Sequence, residues 1–195
     1  MCNFRNIQSQ FLVPFGKLGM RKHEDGTVEY GHAPEIAQQA YMVQLFSPLT
    51  DVELQKLEEQ LKIQIPMQYY CFLSKESNGL ILFMGYCSLY GYIRCIDRSS
   101  NSIPQPFPID VPNVYEKPKN SKDSYFFIGG YRYDGSKLYI DKLTGKVHYC
   151  KRRDATSLYC WDSFEDMLIS EIPRILSLFD EKGKLKCPAS NTLPA

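Results

Sequence analysis

The hydrophobic positions change period along the chain, and the change divides it into regions. Residues 1–32 show no clean period and are punctuated by Gly16, Gly19, Gly26 and Gly31, which reads as an irregular extension. Ile36, Ala40 and Val43 then fall on one helical face behind Pro34, which predicts a helix broken at Ser47-Pro48. Leu54, Leu57 and Leu61 predict a second helix, with Thr50 and Glu53 at capping-box spacing. Pro66 opens a third, with Tyr69, Phe72 and Leu73 inward and Asn78-Gly79 as its stop. The pattern next turns to strands. Continuous apolar runs occupy 80–84, 89–96 and 125–128, and a proline-bearing loop fills 97–124. Leu138 and Ile140 alternate with Tyr139 and Asp141. Beyond a turn at Lys142 to Gly145, Val147 and Tyr149 alternate with Lys146 and His148, which makes a hairpin. Phe164, Met167, Leu168, Ile172, Ile175, Leu176 and Phe179 give a last amphipathic helix, capped by Asp162 or Ser163 and expected to kink or split at Pro173.

Helices at both ends of an antiparallel meander of about 4–6 strands make an α+β domain, with the C-terminal helix packed on the sheet. The organisation expected is an extension at 1–32, a single domain at 33–182 and a flexible tail at 183–195. A chain of 195 residues with 44% hydrophobic and 23% charged residues buries a core without metals or crosslinks.

Charge and cysteine content narrow the function classes. A net charge of +1 gives no general attraction to nucleic acid or to an anionic membrane. No apolar stretch approaches the roughly 20 residues of a membrane span, and no secretory signal is evident. The seven cysteines are scattered, with no Cys-x-x-Cys pair, which fits reduced thiols in a cytoplasm. No cofactor or metal motif is present, and neither is a phosphate loop or a nucleophile elbow.

Three segments resemble the SUKH superfamily, the Smi–Knr type of domain. The first runs from Leu49 through Thr50, Glu53, Leu54 and Leu57 to Ile65-Pro66, Tyr69 to Leu73 and Asn78-Gly79. The second is Phe126 to Gly130, with Gly129 in its glycine pair, followed by Asp134-Gly135-Ser136, Leu138 to Asp141 and Thr144-Gly145-Lys146-Val147. The third is Ser163-Phe164-Glu165-Asp166-Met167-Leu168. Ile65 stands where leucine is more usual, and Leu80 where a second glycine is common. The first ~45 residues lie outside the likeness. The resemblance implies a binding protein without enzymatic activity. Many bacterial members look like immunity proteins that neutralise a toxin from the same locus, and fungal members act as interaction hubs. An intracellular scaffold or regulatory protein unrelated to toxins is the alternative reading.

Each candidate site has a plainer counterpart. His148 with Cys150 and Cys160 has the residue types of a thiol–imidazole pair, but a polar-face histidine beside a semi-buried cysteine is far commoner. Zinc would need a fourth ligand that the nearby sequence does not offer. Asp134 and Asp141 as paired carboxylates compete with Asp134 in a turn and Asp141 bonding the hairpin backbone, which is favoured. Arg152 and Arg153, in the short run Lys151-Arg152-Arg153, suit the rim of a binding surface better than a nucleic-acid patch. The 14 tyrosines exceed what a core needs. Tyr86, Tyr90 and Tyr92 flank one turn, and Tyr131, Arg132 and Tyr133 lie at another. Tyr and Arg dominate binding surfaces, and core and surface roles are equally open for these. Toxins neutralised in this way are often basic nucleases. Asp51, Glu53, Glu58, Glu59, Asp162, Glu165 and Asp166 would give a local negative surface to a near-neutral chain.

Overall fold

The computed structural model describes residues 4–95 and 103–194. Its centre is one antiparallel sheet whose nine strands lie in sequence order, β1 Met20–Lys22, β2 Val28–His32, β3 Tyr41–Leu45, β4 Leu80–Leu82, β5 Cys87–Leu89, β6 Tyr125–Gly130, β7 Lys137–Asp141, β8 Val147–Lys151 and β9 Asp154–Trp161. The helices are α1 Phe4–Ile7, α2 Asp51–Leu61, α3 Met67–Lys75 and α4 Phe164–Ser177. The α+β class stands, and the strand count rises from the 4–6 expected to nine.

The extra strands come from segments that sequence periodicity misassigns. Residues 4–32 are not an irregular lead-in. Helical turns carry Phe4, Ile7 and Leu12 into the core, and β1 and β2 extend the sheet. The boundary drawn at residue 33 therefore falls between two paired strands. The helix expected behind Pro34 is instead a turn followed by β3, which pairs with β2 on one side and β4 on the other. Tyr41, Met42 and Val43 form a contiguous apolar run that a doubly paired strand buries on both faces, whereas one helix face would bury only part of it. The run from Leu80 stays extended only to Leu82, because Phe83 and Met84 turn with positive φ. The strand expected at 89–96 ends at Leu89, and residues 96–102 lie outside the described residues, as do Cys2 and Ala195. β9 had no counterpart in the pattern, since most of its residues are exposed and give no apolar alternation.

The helices follow their sequence signals closely. Thr50 and Glu53 form the reciprocal capping box, and Leu54, Leu57 and Leu61 are buried. α3 starts after Pro66 and buries Tyr69, Phe72 and Leu73. α4 runs through Pro173 as one element, so the expected split does not occur. Gln68 of α3 joins two distant motifs: its side-chain amide donates to the Gly145 carbonyl at 2.7 Å, and its carbonyl oxygen accepts from the Phe164 N–H at 3.0 Å. Asn78 lies beyond the end of α3. Its side-chain oxygen accepts from the Tyr92 N–H and its amide donates to the Tyr92 carbonyl, both at 2.8 Å, as a strand partner would. The tail at 183–195 was expected to be flexible, but it packs back on α4. Arg174 donates to the carbonyls of Asn191 at 3.0 Å and Thr192 at 2.8 Å, and Thr192 is buried.

Side-chain alternation gives the sheet two different faces. One carries Phe126, Ile128, Leu138, Ile140 and Val147 against α3 and α4, with Tyr69, Phe72 and Phe164 in edge and stacked contacts at the centre. The other holds a smaller cluster of Phe127, Tyr139, Cys150 and Ala155. A bulge in β6 sets this phase, because Phe127 pairs with Tyr139 while Gly129 already pairs with Leu138. Gly129 must be glycine here, since a Cβ would lie 2.4 Å from the Ser88 carbonyl oxygen.

Two outcomes test this arrangement. Asn78→Ala leaves both part-buried main-chain groups of Tyr92 without this partner and is expected to cost about 1–2 kcal/mol in urea unfolding. A variant lacking residues 1–32 exposes the β3 edge and empties the Phe4 and Leu12 sites. It is expected to aggregate on size-exclusion chromatography and to lose a sharp thermal transition; a melting temperature equal to that of the full chain would refute the integrated sheet.

Candidate partner-binding surface

The tyrosines singled out in the sequence divide into structural and surface residues. Tyr131 is a correction to the expected surface set, because it is only 2% exposed. Its hydroxyl donates to Glu171 Oε2 at 2.6 Å, and Arg174 closes on the same carboxylate at 2.7 and 2.8 Å. Burial pushes the Tyr131 hydroxyl far above its ordinary pKa, and this triad, with Tyr131 and Glu171 buried and Arg174 half-buried, anchors α4 to the sheet. Sequence alternation cannot reveal such a role, because Glu171 is a charged residue on the inner face of an otherwise apolar helix stripe. Tyr92 is half-buried, with its backbone held by Asn78.

Tyr86, Arg132 and Tyr133 come together at the surface. The turn after β4 and the turn after β6 meet where the Arg132 N–H donates to the Gly85 carbonyl at 3.1 Å and its guanidinium to the Met84 carbonyl at 3.3 Å. Tyr133 is 51% exposed. A hollow of about 430 Å³ opens here, with Tyr86, Arg132, Tyr133 and Phe179 on its walls and Lys184 and Leu185 from the tail on its far side. Tyr86 packs edge-on against Phe179 at 5.2 Å. Arg132 also borders a second concavity, which contains Tyr90. Arg152 reaches the same neighbourhood, against the turn at Gly135, while Arg153 is exposed at the β8–β9 turn. Among the described residues, neither Arg132 nor Arg152 forms an ion pair.

The acidic residues are less available than their number suggests. Glu53 pairs with Arg94 at 2.6 Å and caps α2, Glu58 accepts from the Ile65 N–H, and Asp162 pairs with Lys146 at 2.8 Å. Asp166 accepts from Ser163 at the start of α4. Arg94 also donates to the carbonyls of Ser47 and Pro48, so its pairing ties the stretch after β5 to the start of α2. These carboxylates mainly cap helices and close loops.

The candidates for chemistry have structural partners. Burial raises the Cys150 thiol to about 12, which keeps it protonated and un-nucleophilic. His148 sits directly across the ladder from Cys160, bonds Ser157 at 2.8 Å through Nδ1 and stacks on Tyr139. Asp134 accepts from the Ser136 N–H and Asp141 from the Leu143 N–H, each closing its own turn. Among the described residues, no group of three or more His, Cys, Asp or Glu is placed to hold a metal ion, and no helix is long and apolar enough to cross a membrane.

Glu53 gives the fold a pH signature. Its bond to Arg94, assisted by the Thr50 cap, lowers its pKa from the ordinary 4.5 to about 2. A carboxylate depressed by folding stabilises the fold above its unfolded pKa. That contribution is present above about 4.5 and drains away as pH falls towards about 2. Arg94→Ala is expected to move the Glu53 titration upward by carboxyl NMR and to flatten the acid limb of the stability curve; an unchanged titration would refute the pairing.

Searches of curated proteins and of solved structures return no match. The model of the SMI1 / KNR4 family (SUKH-1) matches residues 48–170, from the residue before Leu49 to the middle of α4. That span takes in the capped α2, the Pro66 step, the Asn78-Gly79 junction and the β7–β8 hairpin. With more than half of its length matched, the chain belongs to the SMI1 / KNR4 (SUKH-1) family.

Proposed function

We propose that this protein is an immunity-type binder that neutralises a cognate toxin domain by direct contact, with no chemistry on this chain. The observation that supports the reading is the meeting of Tyr86, Arg132 and Tyr133 around one hollow where the turns after β4 and β6 are hydrogen-bonded together. Tyrosine supplies contact area at low entropic cost, and an arginine held at its backbone but without an ionic partner offers a charged fork. Arg132 gives this rim positive charge, and Arg152 lies against the adjoining turn at Gly135, so the partner chemistry that fits it is an acidic patch. Family membership adds weight, because the family includes immunity-protein-like members.

The test begins with whether the adjacent gene encodes a large secreted protein with a variable C-terminal domain, and continues with co-expression of this chain with that domain. The expected result is a stable complex and relief of toxicity. Arg132→Glu with Tyr133→Ala is expected to weaken the complex about 100-fold while leaving the melting temperature within a few degrees, because both side chains are exposed. Failure to form a complex or to relieve toxicity would remove the reading. A complex with a host protein in its place, lost in the same variant, would favour a scaffold that uses the same surface.

A further inference from the structure

The register of the sheet builds a second concavity on the face away from α3 and α4. Ser88 pairs with Gly130, Gly130 with Lys137 and Lys137 with Cys150, so these four residues stand side by side on one face. Gly130 contributes no side chain, and a Cβ there would lie 2.6 Å from the Tyr90 hydroxyl. The result is a cavity of about 280 Å³ floored by Ser88, Gly130 and Lys137. Its walls are Phe107, Pro108, Val111 and Pro112 from the segment before β6, with Tyr90 and Arg132 at the sides.

The polar groups in this cavity are incompletely satisfied. The Ser88 hydroxyl is buried without a hydrogen-bond partner among the described residues. Lys137 is only 9% exposed, and among the described residues its ammonium forms no ion pair. Its ammonium lies 6.0 Å from the centroid of the Tyr90 ring, and Glu116 attracts it at longer range than an ion pair. Desolvation lowers its pKa, so the fold carries this cation at a cost. A methionine would fill the same space without that cost, and the buried ammonium therefore points to a ligand rather than to stability.

We propose that the Ser88–Tyr90–Lys137 cavity binds a small organic monoanion, a carboxylate on an apolar body about the size of a single ring. Lys137 supplies the counter-charge, the Ser88 and Tyr90 hydroxyls supply hydrogen bonds, and Phe107, Val111 and the two prolines enclose the apolar body. The volume lies at the lower end of the roughly 300–1,000 Å³ of small-molecule pockets. Lys137 is the cation on the floor, Arg132 stands at the side, and the apolar walls of Phe107, Val111 and the two prolines favour a carboxylate on an apolar body over fully hydrated inorganic phosphate. The assignment stands independently of the toxin-binding reading, since it concerns a different concavity and a different ligand class.

The probes are benzoate, phenylacetate and hexanoate, with benzamide as the neutral shape match and inorganic phosphate as the dianion, all followed by amide NMR on the full chain. At least one carboxylate is expected to saturate with shifts centred on Gly130 and Lys137, and benzamide and phosphate to bind at least tenfold more weakly. Lys137→Met is expected to lose at least tenfold in carboxylate affinity with an unchanged or raised melting temperature. Equal binding of benzamide and benzoate, shifts mapping elsewhere, or no saturation by any of the three acids would overturn the proposal. These wild-type measurements decide it even if the variant fails to fold. If Lys137→Met weakens a protein complex while the acids leave Gly130 unmoved, the ammonium meets a macromolecular carboxylate and the small-ligand assignment fails.

Discussion

The register of the nine-stranded sheet is the constraint on which the rest of the molecule depends. Because strand side chains alternate with period two, a slip of one residue would exchange the two faces. The β6 bulge fixes the phase at the point where it matters most, placing Phe126 and Ile128 under the helices and Phe127 and Lys137 on the opposite face. Gly129 makes the bulge possible because no side chain fits against the Ser88 carbonyl. The tyrosine–arginine surface and the lysine cavity are both consequences of this phase, since Arg132 follows directly from the end of β6 and Lys137 begins β7.

The helical layer is fastened to that sheet by a few polar contacts set within a large apolar core. The Tyr69 hydroxyl lies between the carbonyls of Tyr90 and Ile128, Gln68 bridges the β7–β8 turn and the start of α4, and the Glu171 carboxylate gathers Tyr131 and Arg174. Each satisfies groups that would otherwise be buried without partners, so they specify how the layers meet as well as adding stability. The apolar contacts hold the layers together without direction, and these bonds choose one arrangement among several that would bury similar area.

Charge is distributed in a way that bears on binding. Most of the prominent acids near α2 and α4 are spent on caps and local pairs, whereas Arg132, Arg152 and Lys137 keep positive charge without ionic partners among the described residues. The near-neutral net charge thus conceals a local asymmetry. A surface with basic and aromatic character lies on the turns after β4 and β6, away from the acidic helices that composition alone brings forward.

The sequence by itself determined the elements whose signals are local. The Thr50–Glu53 box, the Leu54, Leu57 and Leu61 stripe, the Pro66 start, the Gly145 hairpin and the Phe164 helix need only neighbouring residues to specify them. Tertiary structure alone decided β1 to β3, because Tyr41 to Leu45 becomes a strand by pairing with β2 and β4, partners that lie far along the chain or carry no periodicity of their own. It decided the fate of the tyrosines too. Tyr131 and Tyr133 are two residues apart in sequence, yet one meets Glu171 forty residues away and the other meets solvent. Lys137 reads in the sequence as an ordinary polar strand residue, and it is buried beside a concavity whose walls come from Phe107 to Pro112, Tyr90 and Arg132, segments distant from it or outside its own strand. Local patterns record which face of an element is apolar; what covers that face depends on contacts between distant segments, which no local pattern encodes.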